Sequence, residues 1–372
     1  VRTVKAAATA VTVALAAGAA SVAVGRFASD AALKAPPGGP LPTEPRLTVH
    51  ATAAGRVTLT RALATRRPGR YGLAGDGTHA VVGQVLASAP HTADTVVRRL
   101  ERVTRGALEP GARVRLTPNI HVGDPGSALG LTHTDVHIPG ELGPLPAWFV
   151  PGGRDTWVIT VHGLGTTREL PLNVMGFLHR HHFPVLDLAY RGDARAPAAP
   201  DGLGHLGETE WRDLDAALHH AVDRGARRVI LHGWSTGATM ALRTAAHSPL
   251  RDRICGLVLD SPVLDWETTL RALATARRTP GALLPLAVRA AQGRTGHRIH
   301  HATDPVAPRV PVLIFHGPDD TIAPWAPTRR LAARHPNLVS LHPVREAPHG
   351  AMWNANPEAY EEALRRFLTP LM

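Results

Sequence analysis

Thiols are almost absent from this chain: Cys255 is the only cysteine in 372 residues. No intrachain disulfide can form, and a cysteine-rich metal site is excluded. Cys255 also lies inside an apolar, strand-like run, a poor place for a thiol nucleophile. Lysine is nearly as scarce, with Lys5 and Lys34 alone. The net charge of +11 is therefore carried by arginine, spread along the chain rather than gathered in blocks. Aromatic residues make up 4%, and no basic run interleaves with them, so a nucleic-acid partner is not expected. Histidine is plentiful, yet His179, His181 and His182 lack the neighbouring carboxylates and the i, i+4 spacing of a zinc protease. They read as solvated, and neither a metal nor a cofactor is expected. The abundance of Ala, Pro, Gly and Arg is what GC-rich coding produces, as in actinobacteria.

What is present centres on Gly233-Trp234-Ser235-Thr236-Gly237. The apolar run Arg228-Val229-Ile230-Leu231-His232 leads in, and Ala238-Thr239-Met240-Ala241-Leu242 leads out. Strand, tight turn and helix in that order make a G-x-S-x-G sequence a nucleophile elbow. The turn forces strained backbone angles on the serine, and the close approach of strand and helix requires small neighbours. Further on, the strand-like Val310-Pro311-Val312-Leu313-Ile314-Phe315 runs into His316-Gly317-Pro318-Asp319-Asp320-Thr321-Ile322-Ala323-Pro324. A last strand, Leu338-Val339-Ser340-Leu341-His342, precedes a loop with Pro348-His349-Gly350. Serine, acid and histidine thus follow one another in the chain, each at a strand end.

With His162-Gly163-Leu164-Gly165 upstream, these four landmarks resemble the α/β-hydrolase family over roughly residues 135–372. The resemblance implies a mostly parallel sheet flanked by helices, with a short helical lid over the site. It implies Ser235 as nucleophile, since a hydroxyl attacks at neutral pH only when a base takes its proton. His349 would be that base and later the acid for the leaving group. The family pattern His-Gly, two residues, Asp, two residues, small or apolar, Pro selects Asp320 as the orienting acid. Asp319 then reads as a turn-former. Asp260, which ends the strand Gly256-Leu257-Val258-Leu259, is the rival acid, because some members carry theirs there. The oxyanion hole is expected from the backbone N–H groups of Leu164, after the strand Trp157 to His162, and of Thr236, at the positive end of a helix.

Such a set suits transfer of an acyl group from a small-molecule substrate to water. Carboxylic esters are the expected substrates. Peptides or amides are the alternative, since members resembling this chain include aminopeptidases. A surface binding protein that keeps the fold without turnover is a rival of a different class.

The remaining organisation reads from the ends inward. Arg2 and Lys5 precede an uncharged run, Ala6 to Val24. As a helix it spans about 28 Å, close to the roughly 30 Å of a bilayer core. Residues 1–34 are expected to anchor the chain in a membrane, or to be a cleaved signal with Ala17-Gly18-Ala19 at its cut site. The catalytic part is exported in either case, held at the cell membrane or secreted. Residues 35–46 form a Pro/Gly tether. Residues 47–135 are expected to be a β-rich module, or an extension of the following sheet, with strands at Val57–Thr60, His79–Gly83 and Ala112–Leu116. The stretch from Asp94 to Arg105 fits a strand or a short helix. The hydrolase-like part, 136–372, opens with a hairpin over Val136–Val150 and then alternates strand and helix. Helices are expected at Leu172–His181, Glu208–Arg224 and Pro357–Leu368. Between about 266 and 301 two helices form the lid, carrying Arg271, Arg277, Arg278, Arg289, Arg294 and Arg298. These arginines read as an ordinary solvated face, or as an attraction for anionic lipid-like substrates.

Overall fold

The structure, a computed structural model, describes residues 45–276, 278–295 and 307–372. The expected anchor or signal segment and nearly all of the tether lie outside these residues. No helix among the described residues is long and apolar enough to cross a membrane.

The first sheet is a small closed barrel. Its strands are β1 (Leu47–Ala53), β2 (Arg56–Thr60), β3 (Tyr71–Gly75), β4 (Thr78–Val85), β5 (Thr95–Arg105) and β6 (Arg113–Thr117), with a short helix α1 (Leu63–Arg66) after β2. They follow the order β1-β2-β5-β4-β3-β6, and β6 pairs back to β1. Every pair is antiparallel, and closure leaves no open edge. Alternate residues fill the interior, among them Leu47 and Val49, Val57 and Leu59, Ala80 and Val82, Val114 and Leu116. The stretch around Asp94–Arg105 is a strand. It pairs with β2 on one side and β4 on the other, so ladder bonds on both edges override its ambiguous local pattern. The barrel is separate from the second sheet rather than an extension of it.

Arg98, on β5, is fully buried within the barrel. Its guanidinium donates to four carbonyls, those of Gly83 (2.8 Å), Thr65 (3.1 Å), Arg67 (2.8 Å) and Gly69 (2.8 Å). Burial pulls its pKa down to about 10. A cation serves here as the hydrogen-bond donor for the stretch from α1 to β3 and for Gly83, at an irregularity in the pairing of β4 with β5.

A short helix α2 (Pro125–Leu129), capped by Asp124 Oδ1 accepting from the Ser127 N–H, leads to the second sheet. Its strands are β7 (Thr134–Gly140), β8 (Gly143–Val150), β9 (Thr156–Val161), β10 (Val185–Leu188), β11 (Arg228–Trp234), β12 (Ile254–Asp260), β13 (Val312–His316) and β14 (Val339–Pro343). The order is β14-β13-β12-β11-β9-β10-β8-β7. The strands from β9 onward are parallel, and β8 is antiparallel to both of its neighbours. The leading hairpin begins at Thr134, two residues earlier than expected, because Thr134 already pairs with Phe149.

Helices α3 (Leu172–Arg180), α4 (Trp211–Asp223), α5 (Thr236–His247), α6 (Trp266–Ala276), α7 (Leu284–Thr295), α8 (Trp325–Arg334), α9 (Met352–Ala355) and α10 (Pro357–Leu368) complete the domain. One face of the sheet packs Leu214 and Leu218 of α4 and Met240 of α5. The other packs Met175 and Phe177 of α3 and Tyr360 and Leu364 of α10. A parallel strand buried on both faces is mostly apolar, and the polar members of β9 and β13 are hydrogen-bonded: Thr160 donates to Asp187 Oδ1 at 2.9 Å, and His316 lies between Thr328 and Asp320. Of the three histidines read as solvated, only His182 is exposed. His181 folds back on its helix, its Nδ1 lying 2.9 Å from the Phe177 carbonyl.

Barrel and sheet share side chains. Val81 of β4 and Ile120 pack into the sheet's core, while Ala351 packs into the barrel's. The buried Asn354 on α9 donates to the carbonyls of Arg70 (2.8 Å) and Pro118 (2.9 Å), and the Arg70 N–H donates back to the Asn354 carbonyl. Gly69 makes this fit possible, since a Cβ there would lie 2.0 Å from the Asn354 carbonyl oxygen.

Candidate active site

Strand order reverses around β9: the chain moves outward to β10, then returns to place β11 on the other side. A crevice opens at the carboxyl ends of strands at such a point. His162 and Gly163 follow β9 there, and Ser235 follows β11.

Ser235 has φ 52° and ψ −116°, a conformation disfavoured for a residue with a side chain. The surroundings hold it: its N–H donates to the Asp260 carbonyl at 2.8 Å, and α5 begins at the next residue. Both elbow glycines are required by contact. A Cβ at Gly233 would lie 2.4 Å from the Gly237 carbonyl oxygen, and one at Gly237 would lie 2.3 Å from that of Val161.

The three candidate side chains lie in one hydrogen-bonded line. His349 Nε2 is 2.7 Å from Ser235 Oγ, and His349 Nδ1 is 2.8 Å from Asp320 Oδ2. All three residues are buried. The other Asp320 oxygen accepts the N–H groups of Ile322 and Ala323, both at 2.9 Å, which fixes the carboxylate plane. Burial pushes the Asp320 carboxyl up, but the adjoining His349 charge and hydrogen bonds from His316 and His349 outweigh it. The carboxyl is held well below its usual range, so it is ionised at neutral pH. An ionised acceptor requires Nδ1 of His349 to carry the proton, leaving Nε2 to accept from the serine hydroxyl.

Asp319 is turned away, its Oδ2 accepting from the Glu346 N–H at 2.7 Å. Among the described residues, Asp260 makes no hydrogen bond to the imidazole. Its Oδ1 accepts from Ser261 Oγ (2.8 Å), which in turn accepts the Gly350 N–H (2.9 Å). Asp260 thus braces the His349 loop through Ser261. Burial raises its pKa to about 7.

The oxyanion candidates, Leu164 and Thr236, border one cavity beside the crevice. Thr236 opens α5, where the first N–H groups have no intrahelical acceptor and the helix dipole is positive. In the β9 loop the Gly163 N–H is taken by Thr166 Oγ1 at 3.1 Å, which leaves the Leu164 amide as the next donor. His162 Nε2 is 2.7 Å from Asp193 Oδ2, pinning the start of that loop.

Some contributors were not legible beforehand. His316 Nε2 lies 3.2 Å from Asp320 Oδ2 and its Nδ1 lies 2.8 Å from Thr328 Oγ1, so it donates to the acid and accepts from the threonine. It stood in the strand-end motif, but nothing in spacing separates it from an ordinary core histidine. Ser261 has φ 50° and carried no signal. Helices α6 and α7 lie where the lid was expected. Leu270 and Leu273 of α6 and Val288 and Ala291 of α7 pack with Leu203, Leu206 and Ile322, and Leu164 joins at the edge. Arg271 pairs with Glu267 at 2.8 Å, so its charge is matched locally. Arg277 and Arg298 lie outside the described residues.

Known proteins resemble the chain in two separate stretches. Residues 153–297 match the family described as serine aminopeptidase, S33, a span that includes Ser235 but stops short of Asp320 and His349. Residues 48–117, the barrel, match a domain of unknown function (DUF8805). The uncharacterized protein YfhR of Escherichia coli O157:H7 is 24% identical over 232 residues, 60% of this chain and 76% of that protein. Its counterpart in Salmonella typhimurium is 27% identical over 203 residues, 51% of this chain and 64% of that one. Among solved structures, the Pyrococcus furiosus esterase Pf2001 superposes with a TM-score of 0.54 at 24% identity, covering 67% of this chain and 94% of that one. The chain has the α/β-hydrolase fold, with a separate antiparallel barrel ahead of that sheet.

Proposed function

We propose that the protein is a serine hydrolase that moves an acyl group to water through an acyl-enzyme on Ser235, with carboxylic esters as substrates. The observation that carries this reading is the 2.7 Å and 2.8 Å line from Ser235 through His349 to an ionised Asp320. His349 takes the hydroxyl proton as Ser235 Oγ bonds to the ester carbon, and the carbonyl oxygen becomes an oxyanion. The amides of Leu164 and Thr236 receive it, each such donor contributing about 3 kcal/mol. His349 then gives its proton to the departing alkoxide, leaving the acyl-enzyme. A water, deprotonated by the same imidazole, attacks next, and the acid leaves as Ser235 regains its proton. Asp320 keeps the imidazole in one tautomer throughout.

The name of Pf2001 as an esterase favours esters, and the serine aminopeptidase match favours amides. Triad chemistry serves both, so the leaving group decides. Comparing 4-nitrophenyl butyrate with aminoacyl-4-nitroanilides separates them. Faster ester turnover, lost in Ser235→Ala, is the expected result. Preference for the anilides would make the protein a peptidase, and no turnover of either by folded protein would favour a binding protein.

A further inference from the structure

The cleft at Ser235 and His349, about 330 Å³, has the barrel as its far wall. Arg113 and Arg115 of β6, Arg46 ahead of β1, and Asp76 after β3 line it. Three guanidinium groups therefore face one carboxylate. Among the described residues, Arg46 and Arg115 have no ion-pair partner, and Arg113 donates to Thr48 Oγ1 at 2.7 Å. A cleft lined by one sign of charge concentrates ligands of the other sign, and the planar arginine fork suits carboxylate or phosphate oxygens. The barrel is locked to the sheet domain through Asn354 and Asn173, so this charge is held at a fixed distance from the serine.

The position of His349 gives the cleft a direction. The imidazole that protonates the leaving group must stand on that group's side of the scissile bond. His349 lines the barrel-walled cleft, together with a smaller hollow bounded by Tyr71 and Leu116 of the barrel. A second cavity of about 340 Å³ lies across the Leu164–Thr166 loop. Leu203, Leu206, Thr236 and Met240 line it beside Arg191, Asp193 and Glu210, and His349 does not. Those three charged groups are already engaged, by Asp213, by His162 and by the N–H groups of His205 and Gly207, so this side offers an acyl chain apolar contact and no unpaired charge, which leaves the arginine-lined side for the departing alcohol or amine.

We propose that the barrel is the specificity element of the site, and that it selects substrates whose leaving group carries a carboxylate or a phosphate. The inference rests on the serine-hydrolase reading and deepens it.

Paired substrates test it. The butyryl ester of 3-hydroxybenzoate is compared with that of 3-hydroxybenzamide, and butyryl glycerol phosphate with butyryl glycerol. A third pair, 4-nitrophenyl hemiglutarate and 4-nitrophenyl butyrate, places the charge on the acyl side instead. One charge-assisted hydrogen bond predicts a preference in kcat/KM of about tenfold or more for the leaving-group anion. The first two pairs show whether carboxylate or phosphate fits better. Arg115→Gln and the double variant Arg113→Glu, Arg115→Glu should abolish that preference and leave the neutral esters within about twofold. Thermal unfolding of each variant checks that the barrel remains folded, and the milder Arg115→Gln keeps the test open if the double variant does not fold. Turnover of neutral esters with no anion preference, a preference confined to the acyl-side anion, or one untouched in folded arginine variants overturns the inference and leaves the hydrolase standing. No turnover of any ester by the folded wild-type protein overturns both.

Discussion

Gly163 and Ser235 are in direct contact: a methyl group on the glycine would lie 2.6 Å from the serine Cβ and 3.3 Å from its Oγ. The loop that supplies one oxyanion donor therefore rests on the nucleophile itself. Its freedom from a side chain sets the distance between donor and reacting atom.

Gly163→Ala should force that loop off the elbow. Misplacing a single oxyanion donor typically costs 10²–10³ in kcat, so a loss of about that size is expected with little change in melting temperature. Steady-state kinetics on a neutral ester would show it. A variant within about twofold of wild type would mean that the loop does not depend on this contact.

Asp320→Asn should lower kcat by about 10⁴, because an amide no longer holds the imidazole in the tautomer the serine needs. Asp260→Asn should cost no more than about tenfold, since Asp260 acts through Ser261 on the loop rather than on the ring. Reversal of these two magnitudes would transfer the orienting role to Asp260.

Asp260 should also shape stability against pH. Its pKa in the folded protein, raised to about 7 by burial, lies above that of an unfolded aspartate. Between about pH 4 and 7 the unfolded chain has released this proton while the folded protein keeps it. The contribution is fully present below the unfolded pKa and is lost as pH rises toward 7. Urea unfolding of Asp260→Asn should therefore show a dependence less negative than wild type by up to about 1.4 kcal/mol per pH unit in that window. Parallel curves for the two proteins would contradict the assignment.

Arg98→Met leaves four carbonyls without their donor while keeping similar bulk. Buried groups stripped of a partner cost about 1–3 kcal/mol each and do not add simply, so a loss of at least about 3 kcal/mol is expected. Chemical denaturation followed by circular dichroism measures it. A loss under about 1 kcal/mol would mean that water or a shifted loop replaces the guanidinium.

The sheet domain was legible because its signals are local. Apolar runs ending in glycine-rich turns mark β9 and β11, and the G-x-S-x-G turn can be read from steric need alone. The serine, acid and histidine stand at strand ends, where sequence order gives their placement. The barrel was legible only as β-rich, because closure depends on pairing between β1 and β6, far apart in the chain. Arg98 could not be told from the other arginines, since burial of a cation is decided by which carbonyls the fold leaves unpaired. The same holds for Arg113 and Arg115, whose place at the cleft follows from docking of two modules. That docking rests on Asn354 and Gly69, and neither residue type announces an interface.

Should one hydroxyl in the whole molecule be chemically singular, an irreversible phosphonylating reagent will find it. Incubating the folded protein with a fluorophosphonate and locating the adduct by peptide mass mapping should show a single modification, on Ser235, absent from Ser235→Ala and strongly slowed in His349→Ala. A folded wild-type protein that stays unmodified, or a label that persists elsewhere in Ser235→Ala, would contradict the mechanism.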